Sequence, residues 1–249
     1  AFALRDYGLE GSNRYRRLMK NTKATVIPSS KFQEFVLSKQ TYMNYFKKKG
    51  VPIMDTIFYN INNYKKDKNN AKVLLNKIQK NFEGPVYCKP ELGAFKKGFS
   101  LIKNPTEKKI NDKLQSLKKQ GYKNLLLQSF LEEFNKYGEI KTYWVGGKHL
   151  YSYRQRWEKG HGVFEHQEMI DKQLLKKCHQ TAKNLIQDLK NDHEDLIQIR
   201  IDFACCIDND NPCRDFFINE MEICPTIPEQ ESRGNGYVPL IKEVLSRCK

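Results

Sequence analysis

The segment FFINEMEICPT, residues 216–226, carries two glutamates one residue apart inside an apolar run. Phe216, Phe217, Ile218, Met221 and Ile223 favour a pleated, half-buried surface. Side chains at i and i+2 of a strand share a face, so Glu220 and Glu222 stand side by side. Like charges that close repel unless something positive sits between them. Upstream, IQIRIDFACCI sets Asp202 in a second apolar strand, and a DNDNP turn joins the two. A hairpin of these strands brings Asp202 near the glutamates. Three carboxylates on one sheet face suit a hard divalent cation, because Mg²⁺ takes oxygen ligands and substrate phosphates complete its shell. The alternative is a solvated strand face with no chemistry at all.

Other residues invite similar readings. VYCKPELGAFKKGFSLI places Lys89 in an apolar strand ahead of a loop containing Gly93 and Gly98. Lysine is rarely buried without a partner. A phosphate beneath a glycine-bearing flap is one such partner, and snorkelling of the ammonium to water is the other reading. Glu139 opens a strand after a Gly turn, where a carboxylate accepts hydrogen bonds from ribose hydroxyls or simply meets solvent. Arg154 and Arg156 share a strand face in YSYRQRWEKG. Paired arginines suit phosphate or carboxylate, or form a solvated edge. No Ser/His or Cys/His pairing calls for a side-chain nucleophile. His161 and His166 flank a loop that no cysteine pattern joins, which disfavours structural zinc.

The elements that must position these residues alternate between helix and strand. SKQTYMNYFKKKG reads as a helix opened by Ser38 and closed at Gly50, with an extended VPIMDTIFYN after it. NINNYKKDKNN reads as a loop. The spacing of Val73, Leu74, Ile78 and Phe82 predicts an amphipathic helix. GPVYCKPE and FSLIK are strands, TEKKINDKLQSLKKQ is a basic helix, and NLLLQSFLEEF is a buried strand. EIKTYWVGGKHLYSYRQRW is a hairpin turning at Gly146-Gly147. DKQLLKKCHQTAKNLIQDLKND is a long helix, and GYVPLIKEVLSRCK is a short closing one. The pattern is α+β with largely antiparallel sheets.

The 249 residues suffice for one large domain or two small ones. A formal net charge of +15 attracts polyanions such as nucleotides, phosphorylated metabolites, acidic polypeptides or nucleic acid. No run approaches the ~20 apolar residues of a membrane span, and AFALRDYGLEGSNRYRR is too polar and charged for a signal peptide. The chain opens without Met, as a trimmed chain or fragment does. Seven cysteines are an odd number and form no CxxC pair. Cys88, Cys205, Cys206 and Cys224 sit in apolar contexts that suit buried reduced thiols. This pattern is expected of a reducing, cytoplasmic compartment.

The order of these features is more specific than any one of them. A strand lysine with a glycine loop is followed by an apolar strand and a carboxylate, then a strand arginine, then Asp…Glu-x-Glu. In that order the chain resembles the ATP-grasp superfamily. It is most similar to the carboxylate–amine ligase branch, which includes ribosomal-protein glutamate ligases and bacterial glutathione synthetases. The resemblance runs from about Ser38 to Pro225, and EIKTYWVGGKHLYSYRQRWEKG and RIDFA…NEMEICPT are its most specific parts. It implies an ATP-grasp fold, with two α+β subdomains of mainly antiparallel sheet clamping ATP between them. Residues of about 85–130 form the first ATP-binding subdomain, and residues 131–249 form the second, with the metal site. Residues 1–37 are an extension or the remnant of a pre-grasp domain.

Residue by residue, the resemblance implies that Lys39 and Lys89 hold ATP phosphates beneath the glycine flap. Gln128, Ser129, Phe130 and Leu131 match the hinge that binds adenine through its backbone. Glu139 matches the ribose-binding carboxylate, and Lys141 falls where an arginine is often found. Arg156 matches the arginine near the γ-phosphate and the acyl phosphate, so Arg156 and Lys89 are the catalytic candidates. Asp202, Glu220 and Glu222 match the ligands of two Mg²⁺ ions, for which Mn²⁺ can substitute. Two departures stand out. The third ligand is usually asparagine, in a pattern like NExNxxPG, whereas this chain has Glu222 there and Thr226 in place of the glycine. Family members also carry an N-terminal α/β substrate domain, and only 37 residues precede Ser38.

The implied reaction is ATP-dependent joining of a carboxylate to an amine through an acyl phosphate. The positive charge favours an acidic small molecule or peptide as substrate. A second reading is an ATP-grasp kinase acting on a polyanion such as an inositol phosphate. A third is a non-catalytic basic module that binds nucleic acid with strong salt dependence.

Overall fold

A computed structural model describes residues 17–18, 20–23, 26–64, 69–92, 98–158, 161–193, 196–208, 211–223 and 237–247. The chain divides into two compact units. The first draws its elements from Leu37–Met43 and Met54–Phe130, and the second from Ala24–Val36, Asn44–Ile53 and Leu131–Lys249.

The first unit is a four-stranded antiparallel sheet in the order β1-β4-β2-β3. Its strands are β1 (Thr56–Asn60), β2 (Val86–Pro90), β3 (Ser100–Ile102) and β4 (Asn124–Ser129). Two helices, Asn70–Asn81 and Glu107–Lys119, pack on one face; in chain order they are α3 and α4. Alternation decides which strand residues meet them: Val86, Cys88, Leu125 and Leu127 enter this core with Leu74, Ile78, Leu114 and Leu117. Within α3 the buried stripe is Ala71, Leu74 and Ile78. Val73 was expected on it but is 65% exposed, because it falls outside the i, i+3, i+4 spacing of the others. Thr106 caps α4 by accepting from the Lys109 amide at 3.3 Å.

The second unit is a five-stranded antiparallel sheet in the order β7-β6-β5-β8-β9. The strands are β5 (Glu139–Val145), β6 (Lys148–Glu158), β7 (His161–His166), β8 (Gln198–Asp208) and β9 (Asn211–Glu222). The β5–β6 hairpin turns at Gly146-Gly147 as the sequence suggests, and β7 extends it by one strand that the sequence reading lacked. Two short helices, α1 (Ser30–Leu37) and α2 (Lys39–Lys48), precede the first sheet, and α5 (Glu132–Tyr137) precedes β5. The long helix α6 (Lys172–Asp192) follows β7, and α7 (Tyr237–Arg247) closes the described chain. Asp171 caps α6, accepting from the Leu174 amide at 2.8 Å, and the helix buries Leu174, Cys178, Ala182, Leu185 and Leu189. NLLLQSFLEEF is a strand only to Ser129, and its LEEF half opens α5.

Cys88, Cys178 and Cys205 are buried and form no disulfide. Burial pushes the Cys88 thiol up to about 11. Among the described residues no helix is long and apolar enough to cross a membrane.

Candidate active site

The second unit gathers ionic side chains on one face of its sheet. Glu139, Lys141 and Tyr143 alternate along β5, and the register sets Lys141 opposite Asp202 and Tyr143 opposite Arg200. On the next strand Arg200 pairs with Glu222 and Asp202 with Glu220. Cross-strand partners share a face, so β5, β8 and β9 present Glu139, Lys141, Arg200, Asp202, Glu220 and Glu222 together.

Gly138 makes the entry into this face possible. It ends α5 at φ +74, and a Cβ there would lie 2.1 Å from the Gln155 carbonyl oxygen. Only glycine allows both that backbone conformation and that approach. A second device is the irregularity in β9, where the pairing moves from Asp202↔Glu220 to Phe203↔Ile218. Asn219 is the extra residue, and its amide Nδ2 donates to Glu139 Oε1. A bulge re-aims a side chain in this way.

Asp202 is the centre of the cluster and is 1% exposed. Its Oδ2 accepts from Lys141 Nζ at 2.6 Å and from Arg200 Nη2 at 2.7 Å, and its Oδ1 accepts from Arg200 Nε at 2.6 Å. Lys141 also reaches Glu139 Oε2 at 3.0 Å. Arg200 bridges onward to Glu222 Oε1 at 2.7 Å and lies over the Tyr143 ring. Burial alone would raise the Asp202 carboxyl, but Arg200 and Lys141 outweigh it and hold the group below the usual carboxylate range. For Lys141 the same burial disfavours charge, and Asp202 and Glu139 overcome it, raising its proton affinity. Glu222 behaves differently. Burial, together with the Asp202 and Glu220 charges, pushes it up to about 7 against the pull of Arg200. Burial is the largest cause of that rise, and the neighbouring Glu220 charge is a smaller one.

Among the described residues no three His, Cys, Asp or Glu side chains converge as a ready-made metal site. Arg200 stands between Asp202 and Glu222 instead. The donor set nonetheless fits a hard divalent cation. All the candidate donors are carboxylate oxygens, which such ions prefer. Four carboxylates share the face with two cations, Lys141 and Arg200. Asp202 would have to share oxygens already bonded to Arg200 and Lys141, as a carboxylate with about four lone-pair sites can.

The structure does not bring Arg156 to this face. The register pairs Glu139 with Gln155 and Lys141 with Tyr153, so the β6 side chains on this face are Gln155 and Tyr153. Arg154 and Arg156 lie on the other side of the strand. Both bond Glu165, Arg154 Nε at 2.7 Å and Arg156 Nε at 2.6 Å, and Arg156 also bonds Glu158. Arg156, which the sequence matched to the arginine near the γ-phosphate, is thus on the opposite side of β6 from the carboxylate face. The residues missed were Arg200 and Asn219. Arg200 was legible as Arg-x-Asp in IRIDF, two charges on one strand face. Asn219 was not, because only the bulge turns it inward.

Within the first unit, Lys89 lies on the sheet face away from α3 and α4, in phase with Tyr87 and opposite Leu126. Its ammonium sits 5.7 Å from the Tyr87 ring centroid. Lys39 opens α2 directly after Ser38, whose hydroxyl accepts from the Thr41 amide at 3.1 Å and donates to Glu91. Glu91 is two residues beyond Lys89 and also accepts from Asn124 Nδ2 at 2.7 Å. The Ser38–Glu91 bond thus joins the two lysine-bearing segments. Gly98 is pinned by Lys113 Nζ, which donates to its carbonyl at 2.7 Å, whereas Gly93 lies outside the described residues.

The hinge candidates divide. Gln128 and Ser129 belong to β4, and the Gln128 side chain is fully buried, donating to Thr56 Oγ1 at 2.9 Å. The Phe130 amide donates to the Pro85 carbonyl at 3.0 Å. Proline has no N–H, so Pro85 cannot donate to the Phe130 carbonyl in return. Leu131 is the N-cap residue of α5. Cys224, Pro225 and Thr226 lie outside the described residues.

No family model and no curated protein matches the sequence. Solved structures do match the fold. The D-cycloserine synthetase DcsG superposes with a TM-score of 0.72 at 14% identity, covering 96% of this chain and 80% of that one. VanG, a D-Ala:D-Ser ligase from Enterococcus faecalis, gives a TM-score of 0.65 at 12% identity over 85% of this chain and 61% of its own. The D-alanine–D-alanine ligase from Bacillus anthracis, solved with ATP, gives 0.60 at 13% identity over 85% and 65%. The chain has the ATP-grasp fold. It spans less than two thirds of the two latter chains, and at these identities the likeness concerns the fold alone. The roles of the residues on the ionic face rest on the chemistry above.

Proposed function

We propose that this protein is an ATP- and Mg²⁺-dependent ligase that joins a carboxylate to an amine through an acyl phosphate. The observation that carries the reading is the Glu139–Lys141–Arg200–Asp202–Glu220–Glu222 cluster, formed on one sheet face of an ATP-grasp fold. In the first step a substrate carboxylate oxygen bonds to the γ-phosphorus of ATP, and the bond to the β-phosphate oxygen breaks, releasing ADP. In the second the amine nitrogen bonds to the acyl carbon, the C–O bond to phosphate breaks, and the amine loses a proton. No side-chain nucleophile is required.

Positioning and charge stabilisation are then the work of the protein, as in phosphoryl transfer generally. Arg200 and Lys141 are suited to it because Asp202 holds both cations fixed before any ligand arrives. Lys39 and Lys89 are assigned to phosphate, the Phe130 carbonyl and Leu131 to adenine, and Glu139 to ribose hydroxyls. Glu220 and Glu222, with Asp202, are the residues to hold Mg²⁺, which when bound neutralises phosphate charge and polarises the transferring group. The net charge of +15 supports an acidic carboxylate or peptide substrate.

The test is a screen of amino acids and acidic peptides for stimulated release of ADP and phosphate, run with and without hydroxylamine. A ligase traps as a hydroxamate. ADP release that leaves a phosphorylated product and no hydroxamate would instead identify a kinase. No nucleotide turnover with any acceptor, together with salt-sensitive binding to any DNA or RNA, would favour the basic binding module.

A further inference from the structure

A groove of about 640 Å³ lies in the second unit, on the opposite sheet face from the acidic cluster. It is lined by Lys148 and His149 from the β5–β6 hairpin, by Trp144, and by Lys172, Lys176, His179 and Lys183 of α6. Its size is within the range of about 300–1,000 Å³ usual for small-molecule sites. The helix contribution is a single stripe, since 172, 176, 179 and 183 recur at spacings of three and four and face one way. None of Lys148, Lys172, Lys176 and Lys183 has an ion-pair partner among the described residues, and no acidic side chain is among those lining the groove.

The floor is more ordered than a solvated lysine face requires. The His149 and His179 rings lie 4.0 Å apart between centroids. Their Nε2 atoms share the hydroxyl of Ser152, at 2.8 and 2.9 Å. A hydroxyl has one proton, so one imidazole accepts it and the other donates its own N–H to the oxygen. Ser152 is 2% exposed and committed on both sides, which removes it as a nucleophile. Trp144 packs edge-on to both rings and donates to Thr142 Oγ1 at 3.0 Å. Burial pushes His149 down to about 4 and lowers His179 as well, so the lysines supply the positive charge. Four ammonium groups around one concavity repel each other and a metal cation alike. A dense anion reverses both effects, and ammonium groups bind phosphate as point charges.

We propose that this groove is a second ligand site, separate from the acidic face, that takes a small anion bearing two or more phosphate groups. The probe is inorganic tripolyphosphate, titrated calorimetrically into the full chain while the His149 and His179 imidazole resonances are followed by NMR. Saturable binding that shifts both resonances is expected. The triple variant Lys148→Ala, Lys176→Ala, Lys183→Ala should lose at least tenfold in affinity. A control triple on the first unit, Lys72→Ala, Lys108→Ala, Lys119→Ala, removes the same charge and should lose less than twofold. Equal losses from the two triples would show general attraction to a basic protein and overturn the site. So would unmoved imidazole resonances at saturation. Binding of equal strength by citrate would overturn the phosphate assignment. An Asp202→Asn variant should keep tripolyphosphate binding to the groove, and if the shifts vanish with it, the anion is bound at the acidic face and the proposal fails.

Discussion

Glu222→Gln should act in opposite directions with and without metal. In the metal-free protein the Glu222 carboxyl is raised from an ordinary value of 4.5 to about 7. At about 1.4 kcal/mol per pH unit, that sets a ceiling of about 3.5 kcal/mol on the cost of keeping it charged. Its side chain is 28% exposed, and solvent screening reduces the figure to about 1–2 kcal/mol. Between pH 4.5 and 7 the folded state binds more protons here than the unfolded chain does. Stability therefore falls as pH rises through that window and is level above it. Glutamine removes the charge, so the variant should match wild type at pH 5 and melt about 2–8 °C higher at pH 8. The Asp202 shift has the opposite sign, acts below its ordinary value of 3.8, and is common to both proteins. The assay is thermal melting in chelator from pH 5 to 8, repeated with Mg-ATP. With Mg-ATP the variant should lose most of the ligand-induced gain and its turnover. Parallel wild-type and variant profiles in chelator would refute the like-charge argument. Full turnover by the variant would refute the metal assignment.

Arg200→Met leaves Glu222 unpaired and Asp202 with Lys141 alone, so it should destabilise by about 3–5 kcal/mol in denaturant titration and abolish ADP release. Arg156→Ala should leave turnover within about twofold, because its partners Glu165 and Glu158 lie off the candidate face. A loss of a hundredfold in a steady-state assay would restore it to the site. Lys89→Ala should weaken nucleotide binding measured by calorimetry more than tenfold while leaving the melting temperature of the nucleotide-free protein within a few degrees. Gly138→Ala forces a Cβ against the Gln155 carbonyl at a positive φ and should cost more than about 2 kcal/mol, read by the same titration.

Much of the fold was legible because local signals agreed with it. Ser38 announced a helix start that its side chain does cap, and Gly146-Gly147 announced the hairpin. The i, i+2 argument placed Glu220 and Glu222 on one face, and the hairpin argument placed Asp202 near them; the structure pairs it with Glu220. What failed was information that a strand does not carry alone. The face that Arg156 occupies depends on register with β5, and Arg154 and Arg156 read equally well on either side until Gln155 is seen opposite Glu139. Val73 shows the same limit in a helix, where one apolar residue beyond the stripe resembles its neighbours. LEEF could continue an apolar strand by composition, but the β4 ladder ends where Phe130 bonds Pro85, and the chain then turns into α5.

The bulge at Asn219 explains why Glu-x-Glu is an incomplete description of this site. In a regular strand Asn219 would point away from Glu220 and Glu222. Displaced, it donates to Glu139, whose other oxygen is taken by Lys141. Glu139 is thereby tied to β9 on one side and to Asp202, through Lys141, on the other. A carboxylate so held cannot swing toward Glu220 and add to the repulsion there. It can serve a ligand only by accepting further hydrogen bonds in place, as ribose hydroxyls would donate. Asn219→Asp would put a fifth carboxylate against Glu139 while conserving shape. Lys141 cannot neutralise both acids and Asp202 together, so the variant should melt lower than wild type at pH 8 and recover toward pH 5. Asn219→Ala should instead lower stability by about 1 kcal/mol at both pH values. If the two substitutions behave alike across pH, the charge balance at Glu139 is not what fixes it, and the bulge serves only to bend the strand.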